Sequence, residues 1–220
     1  MTVPNLSLDS LSKVGVGARR PEDVVVSRDG RIWLSDQGSA CAEVLDDGTL
    51  RRIGRAGGAP NGINMDAQGR IVIANFGGPD DGRGPLQRLD PESGEVEILV
   101  EEINGRTLFG ANYPVIDRQG QIWCSHSTWG PLDQAFGGMH DGIVFRLDPD
   151  GSVTVVAEGI AFANGWGLRS QTSRTSVRWR PRCGASLVSP MGAVSIKRAI
   201  SGLLCRWRIV WWSSHLTKKP

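Results

Sequence analysis

The 220-residue sequence predicts an all-β chain built as a β-propeller, and three observations carry that prediction. A polar opener returns four times, at Glu22-Asp23, Asn61-Gly62, Asn112-Tyr113 and Asn164-Gly165. The first three openers lead into stretches that align without a gap, PEDVVVSRDGRIWLSD, PNGINMDAQGRIVIAN and ANYPVIDRQGQIWCSH. A second hairpin signal then follows in each unit, so each unit holds two hairpins, the content of one four-stranded blade.

Within each unit the order of elements is the same. The opener precedes an alternating apolar run (Val24, Val26; Ile63, Met65; Val115), as expected of a half-buried strand. A turn of Asp or Gln with Gly comes next, and Gly30, Gly69 and Gly120 each lie eight positions after their opener. Glycine suits hairpin turns because they often need a positive φ. A second apolar run follows, such as Ile71, Val72 and Ile73. The second hairpins turn at Asp46-Asp47-Gly48, Asp90-Pro91 and Asp148-Pro149-Asp150-Gly151. The last of these has a faint calcium-loop look but lacks the closing Glu, and it reads as a turn. The openers stand 39, 51 and 52 residues apart by subtraction, near the roughly 40–50 residues of a propeller blade. An open β-sandwich or a chance run of hairpins would not require such equal turn offsets.

The pattern breaks after Leu168. Residues 169–220 hold eleven of the 25 Lys and Arg and no Asp or Glu, which leaves 14 basic against 23 acidic residues in 1–168, a net of −9. The overall +2 therefore describes neither part. Trp179, Trp207, Trp211 and Trp212 also crowd this tail. It reads as a basic, aromatic arm for nucleic acid or membrane, as a divergent folded extension, or as a wrong reading frame joined to a genuine propeller. The last is preferred, because the change falls where the next blade should begin. The expected division is thus a partial propeller over 1–168 and a non-native or disordered tail over 169–220, with no nucleic-acid or membrane partner. Leu203 to Trp212, interrupted by Arg206 and Arg208, is too short to span a bilayer.

The start of the chain has no basic segment followed by a long apolar run, so no secretory signal is expected. Cys41, Cys124, Cys183 and Cys205 form neither a CxxC pair nor a disulfide framework, which suits a reducing, cytoplasmic setting. No GxSxG nucleophile elbow and no GxGxxG fingerprint in a strand-to-helix context occur.

In a propeller the innermost strands line a central channel, so Glu22, Asn61, Asn112 and Asn164 would meet at one axis. One carboxylate with several amide oxygens is a hard-ligand set suited to Ca²⁺ or Mg²⁺. The plainer alternative is that these Asn residues make entry turns.

The segments RPEDVVVSRDGRIWLSD, APNGINMDAQGRIVIAN, GANYPVIDRQGQIWCSHSTWG and DGIVFRLDPDGSVTVVAEGIAFANG resemble the gluconolactonase/regucalcin (senescence-marker-protein) family over about residues 15–168. The resemblance implies a six-bladed propeller, of which this chain would hold about three and a half blades. It also implies a divalent cation, usually calcium, that polarises the carbonyl of a sugar lactone or related ester for attack by water. By the same resemblance Glu22 and Asn164 match metal ligands, Asn112 matches an asparagine close to both metal and substrate, and Asn61 occupies the equivalent place in the second blade. The family's later-blade aspartate, a metal ligand and general base, is not matched. About one repeat beyond Asn164 stand Ser213, Ser214 and His215, so the catalytic base is unassigned and impaired activity is expected. The arginine of the regucalcin branch falls at Gly110, which blurs the substrate.

Blade three carries a long excursion, Ser125 to Asp141, of the kind that holds binding residues on a rigid scaffold. It is expected to roof the channel mouth, with Trp129 as a pocket wall and His126 as a candidate substrate contact. The plainer reading of His126 and His140 is that of solvated loop histidines. Two functions remain: a calcium-dependent lactone or ester hydrolase, or a non-catalytic propeller fragment serving as a ligand-binding scaffold.

Overall fold

The computed structural model describes residues 14–77 and 82–165; the 169–220 tail, with Ser213, Ser214 and His215, lies outside the described residues. Three four-stranded antiparallel sheets follow one another in chain order. The first blade is β1 (Val24–Val26), β2 (Ile32–Ser35), β3 (Cys41–Val44) and β4 (Leu50–Ile53). The second is β5 (Pro60–Met65), β6 (Ile71–Asn75), β7 (Leu86–Leu89) and β8 (Val96–Val100). A small hairpin, β9 (Glu102–Ile103) and β10 (Arg106–Thr107), leads into the third blade: β11 (Ala111–Ile116), β12 (Ile122–His126), β13 (Gly142–Leu147) and β14 (Val153–Ile160). One short helix, α1 (Leu132–Phe136), sits between β12 and β13. Among the described residues no helix is long and apolar enough to cross a membrane.

The predicted repeat appears as register. The residue two places after each opener pairs with the residue ten places further on: Val24 with Leu34, Ile63 with Ile73, and Pro114 with Cys124. Gly30, Gly69 and Gly120 take φ of 90°, 83° and 80°. Their N–H groups donate to the carbonyls of Ser27, Asp66 and Asp117, three residues back. This is a tight turn closed by one left-handed residue, which glycine adopts at little cost.

The blades pack face to face, with β11 against β5 and β6, and β5 against β1 and β2. One core lies between blades one and two, around Trp33, Cys41, Ile63, Ile71, Ile73 and Leu89. Another lies between blades two and three, around Val72, Leu86, Leu108, Cys124, Ile143 and Phe145. Alternate residues of β6 thus enter different cores, Ile71 and Ile73 on one side and Val72 and Ala74 on the other, because successive strand side chains point to opposite faces. That is why β6 is buried along its whole length. Cys41 and Cys124 are free and buried, one in each core.

Two elements were not anticipated. The β9–β10 hairpin turns on Asn104 (φ 52°) and Gly105 (φ 74°), the Asn-Gly pair that favours a two-residue hairpin loop. The second is α1, within the blade-three excursion. The excursion itself starts later than expected, at Ser127, because Ser125 and His126 complete β12.

Candidate functional site

A three-fold repeated device holds the start of each blade. The residue fourteen places after each opener is polar and buried: Asp36, Asn75 and His126. Each accepts hydrogen bonds from backbone N–H groups that lead into the inner strand. Asp36 Oδ1 accepts from Arg19 at 2.6 Å, and Asn75 Oδ1 accepts from Ala59 at 2.9 Å. His126 Nε2 accepts from both Phe109 and Gly110 at 3.1 Å. The next residue in each blade returns a bond, the N–H groups of Gln37, Phe76 and Ser127 donating to the carbonyls of Arg19, Ala59 and Gly110. Two blades also use the serine before the peg: Ser35 Oγ accepts from the N–H groups of Glu22 and Asp23, and Ser125 Oγ from that of Tyr113. Irregular backbone at a buried position is tolerable only when its polar groups are satisfied in this way.

These pegs hold the openers out of the strand ladder. Pairing skips from Pro60 to Ile63 and from Ala111 to Tyr113, so Asn61 and Asn112 lie at bulges, a device that re-aims a side chain. Consecutive openers are neighbours. Asp23 Oδ2 accepts from the N–H of Ile63 at 3.0 Å. Gly62 lies so close to the third blade that a Cβ there would stand 2.7 Å from the Asn112 carbonyl oxygen and 2.6 Å from Tyr113 Cδ2. Asn112 Nδ2 donates to Ser127 Oγ at 2.9 Å, and Ser127 Oγ donates to the carbonyl of Ala163 at 2.9 Å, immediately before Asn164.

The side chains differ in exposure. Glu22 is partly exposed and pairs with Arg20 at 3.2 Å, the same arginine that donates to the carbonyls of Ala59 and Pro60. Asn61 is half-buried and Asn164 exposed, the latter's Oδ1 accepting from the N–H of Gly165 at 2.6 Å. Asn112 is 2% exposed, and its Oδ1 is buried with no hydrogen-bond partner. A buried, unpaired amide oxygen is costly unless something satisfies it. A hard cation is such a group, and Asn112 Oδ1 with the oxygens of Glu22 and Asn164 has the donor chemistry for one. Among the described residues no three His, Cys, Asp or Glu side chains converge, so amide oxygens would be the bulk of any such ligand set.

The excursion builds a different feature. A cleft of about 290 Å³ is lined by Arg106, Trp129, His140, Asp141, Ile143 and Glu158 among others, and no opener borders it. Trp129 is therefore a wall of this cleft. Its ring meets the Arg106 guanidinium at 4.2 Å and the His126 ring at 4.1 Å. Asp141 Oδ2 accepts from Thr128 Oγ1 and from the N–H groups of Trp129 and Gly130, pinning the loop. Burial works against its charge, yet those three donors hold its carboxyl below the ordinary carboxylate range.

His126 corrects both expectations placed on it. It is neither a solvated loop histidine nor open to a substrate, being 0% exposed at the end of β12 with Nε2 occupied. Burial pushes its imidazole down to about 3, with Asp141 opposing and Arg106 reinforcing the shift. The ring is neutral, and because Nε2 accepts, its proton sits on Nδ1. The pegs Asp36, Asn75 and His126 were missed, although their common offset from the openers was available in the sequence. Ser127 gives no such signal, since Gln37 and Phe76 take its place in the other blades.

Residues 60–175, more than half of the chain, match the profile described as the SMP-30/Gluconolactonase/LRE-like region. Residues 3–38 match a strictosidine synthase-like N-terminal profile. The chain is 25% identical over 157 residues to a gluconolactonase of Zymomonas mobilis subsp. mobilis, covering 67% of this chain and 41% of that protein. Among solved structures, a putative gluconolactonase aligns with a TM-score of 0.51 at 25% identity, covering 64% of this chain and 50% of its own. A Xanthomonas campestris gluconolactonase aligns with a TM-score of 0.51 at 25% identity, covering 64% of this chain and 48% of its own. The chain thus spans about half the length of these relatives or less. With three propeller blades in register and a profile match over the whole of the second and third, the chain belongs to the SMP-30/gluconolactonase/LRE-like family.

Proposed function

We propose that the chain carries the cation-binding face of a calcium-dependent hydrolase acting on a sugar lactone or related ester. The family includes gluconolactonases, which supports lactone chemistry at that level. The single observation that carries the site is the buried, unpartnered Oδ1 of Asn112, tied through Ser127 to the segment that bears Asn164. Glu22 would supply negative charge, and Asn112 and Asn164 neutral amide oxygens, to one divalent cation. Asn61, on the neighbouring bulge, would face the substrate. A cation bound there supplies polarisation of an ester carbonyl and a lowered pKa for water. The protein's part is clearest at Asn112, whose bulged backbone is fixed by the buried peg His126, so that little reorganisation of that ligand is needed on binding.

We also propose that turnover by this chain is impaired, because Ser213, Ser214 and His215 stand where the resemblance places a carboxylate base. The alternative, a ligand-binding scaffold without catalysis, draws on the cleft beside Trp129 and Arg106, which lies apart from the openers. Purified chain should be titrated with Tb³⁺ and Ca²⁺ and assayed on gluconolactone with and without calcium. Cation binding with little turnover supports the proposal. Brisk calcium-dependent turnover overturns the impairment, and absence of cation binding overturns the site.

A further inference from the structure

Ser127 lies outside every expected ligand set, yet its hydroxyl connects the opener Asn112 to Ala163, the residue before the opener Asn164. It has a single hydroxyl proton, and it donates that proton to the carbonyl of Ala163 at 2.9 Å. Toward Asn112 its oxygen can therefore only accept, which it does from Nδ2 at 2.9 Å. An amide side chain has one donor end and one acceptor end, and fixing the donor end decides where the acceptor points. With Nδ2 committed to Ser127, Oδ1 is left on the other side, buried and without a hydrogen-bond partner. The Ser127 backbone adds a second constraint, since its N–H donates to the carbonyl of Gly110, two residues before Asn112. His126, the residue before it, accepts the N–H groups of Phe109 and Gly110. The backbone of the segment and the amide of Asn112 are thus held from one dipeptide.

We infer that Ser127 is a positioning residue that fixes the Asn112 amide with its oxygen, not its nitrogen, turned toward the proposed cation; this rests on the reading given under Proposed function. Its commitment to the Ala163 carbonyl is what makes the choice one-sided. A serine whose proton were free could accept or donate, and the amide could then sit either way round. With the serine removed, both amide rotamers become accessible, and half of them would present N–H₂ to a cation, which repels it. Residues that orient metal ligands in this way typically contribute about 10- to 100-fold in metal affinity.

The test uses the full chain as wild type, Ser127→Ala and Ser127→Thr, each checked by circular dichroism. Two readouts are taken: Tb³⁺ affinity from luminescence, and the side-chain amide signal of Asn112 in ¹⁵N-asparagine-labelled protein, identified by its loss in Asn112→Asp. Ser127→Ala is expected to weaken Tb³⁺ binding about 10- to 100-fold and to shift the Asn112 amide protons toward those of a free amide. Ser127→Thr, which keeps the hydroxyl, should restore both. Unchanged Tb³⁺ affinity in Ser127→Ala, with wild type binding normally, would overturn the inference. So would an Asn112 amide signal that ignores the substitution. If wild type bound no Tb³⁺ while the amide signal still followed Ser127, the cation reading would fall and the orienting role of Ser127 would stand. If Ser127→Ala does not fold, the Asn112 amide shifts of wild type against Ser127→Thr decide: signals typical of an unbonded amide in both overturn it.

Discussion

Asp23, on the first blade, accepts through Oδ2 the backbone N–H of Ile63 on the second at 3.0 Å, while its Oδ1 accepts the N–H of Val24 at 2.9 Å. One buried carboxylate thus satisfies the entry backbone of two neighbouring inner strands. Replacing Asp23 with Ala leaves two donors unpaired, and an unsatisfied buried group costs about 1–3 kcal/mol. Urea unfolding should show Asp23→Ala destabilised by at least that amount. Asp23→Asn, which keeps one acceptor oxygen, should retain part of the stability.

Gly62 stands where the second and third blades come nearest. A Cβ there would fall 2.6 Å from Tyr113 Cδ2, 2.7 Å from the Asn112 carbonyl oxygen and 2.9 Å from Pro114 Cδ. The Asn112 carbonyl oxygen and the Pro114 ring are fixed to the strand and can shift only with it. Gly62→Ala is expected to destabilise the chain by about 1–3 kcal/mol, as overpacking does. It should also weaken any Tb³⁺ binding by moving Asn112, and thermal unfolding beside a lanthanide titration checks both.

His126 sets a pH dependence. Its folded value is near 3 against an ordinary value of 6.5, so below pH 6.5 the unfolded state takes up a proton that the folded state refuses. The stability tied to the neutral ring is complete above pH 6.5 and is lost as pH falls toward 3, with a slope of about 1.4 kcal/mol per pH unit. Unfolding free energies measured between pH 7.5 and 4.5 should show that slope. In His126→Asn, which can still accept through its amide oxygen but does not titrate, the slope should flatten in this window, and an unchanged slope would assign it to other groups. Toward the acid end Glu43 adds a loss of the same sign. Its carboxyl is held below the ordinary value of 4.5 mainly by Arg31, against the cost of burial and with help from Arg51. Its contribution is present above that value and fades below it.

Cys41 and Cys124 should resist thiol reagents in the folded chain. Both are fully buried, and burial pushes their thiols up, with Asp36 and Asp23 adding to the effect at Cys41. The reactive thiolate is therefore scarce as well as inaccessible. Maleimide labelling followed by peptide mass spectrometry should find these two positions unmodified in native protein and labelled in urea. Rapid native labelling of either would contradict the packing between blades.

The strands were legible because their spacing is a property of the sequence itself. Turn glycines at a fixed offset dictated the i to i+10 pairing later seen at Val24, Ile63 and Pro114. Asn104-Gly105 carried an equally strong hairpin signal and was passed over, since it falls between units and not within one. The pegs were hidden for a chemical reason: Asp36, Asn75 and His126 share a role as acceptors but not a residue type. The role of Ser127 could not be read at all, because it depends on where the carbonyl of Ala163, 36 residues away, happens to lie. Trp129 lines a cleft, but the space it borders holds none of the openers, a separation that the sequence gives no means to read.

The middle sheet answers to both of its neighbours through a single strand. A change at Val72 is felt by Phe145 and its companions, and a change one residue later at Ile73 is felt by Trp33. Adjacent codons therefore evolve against different partners, and drift at either end of the molecule can be compensated in the centre without disturbing the opposite side.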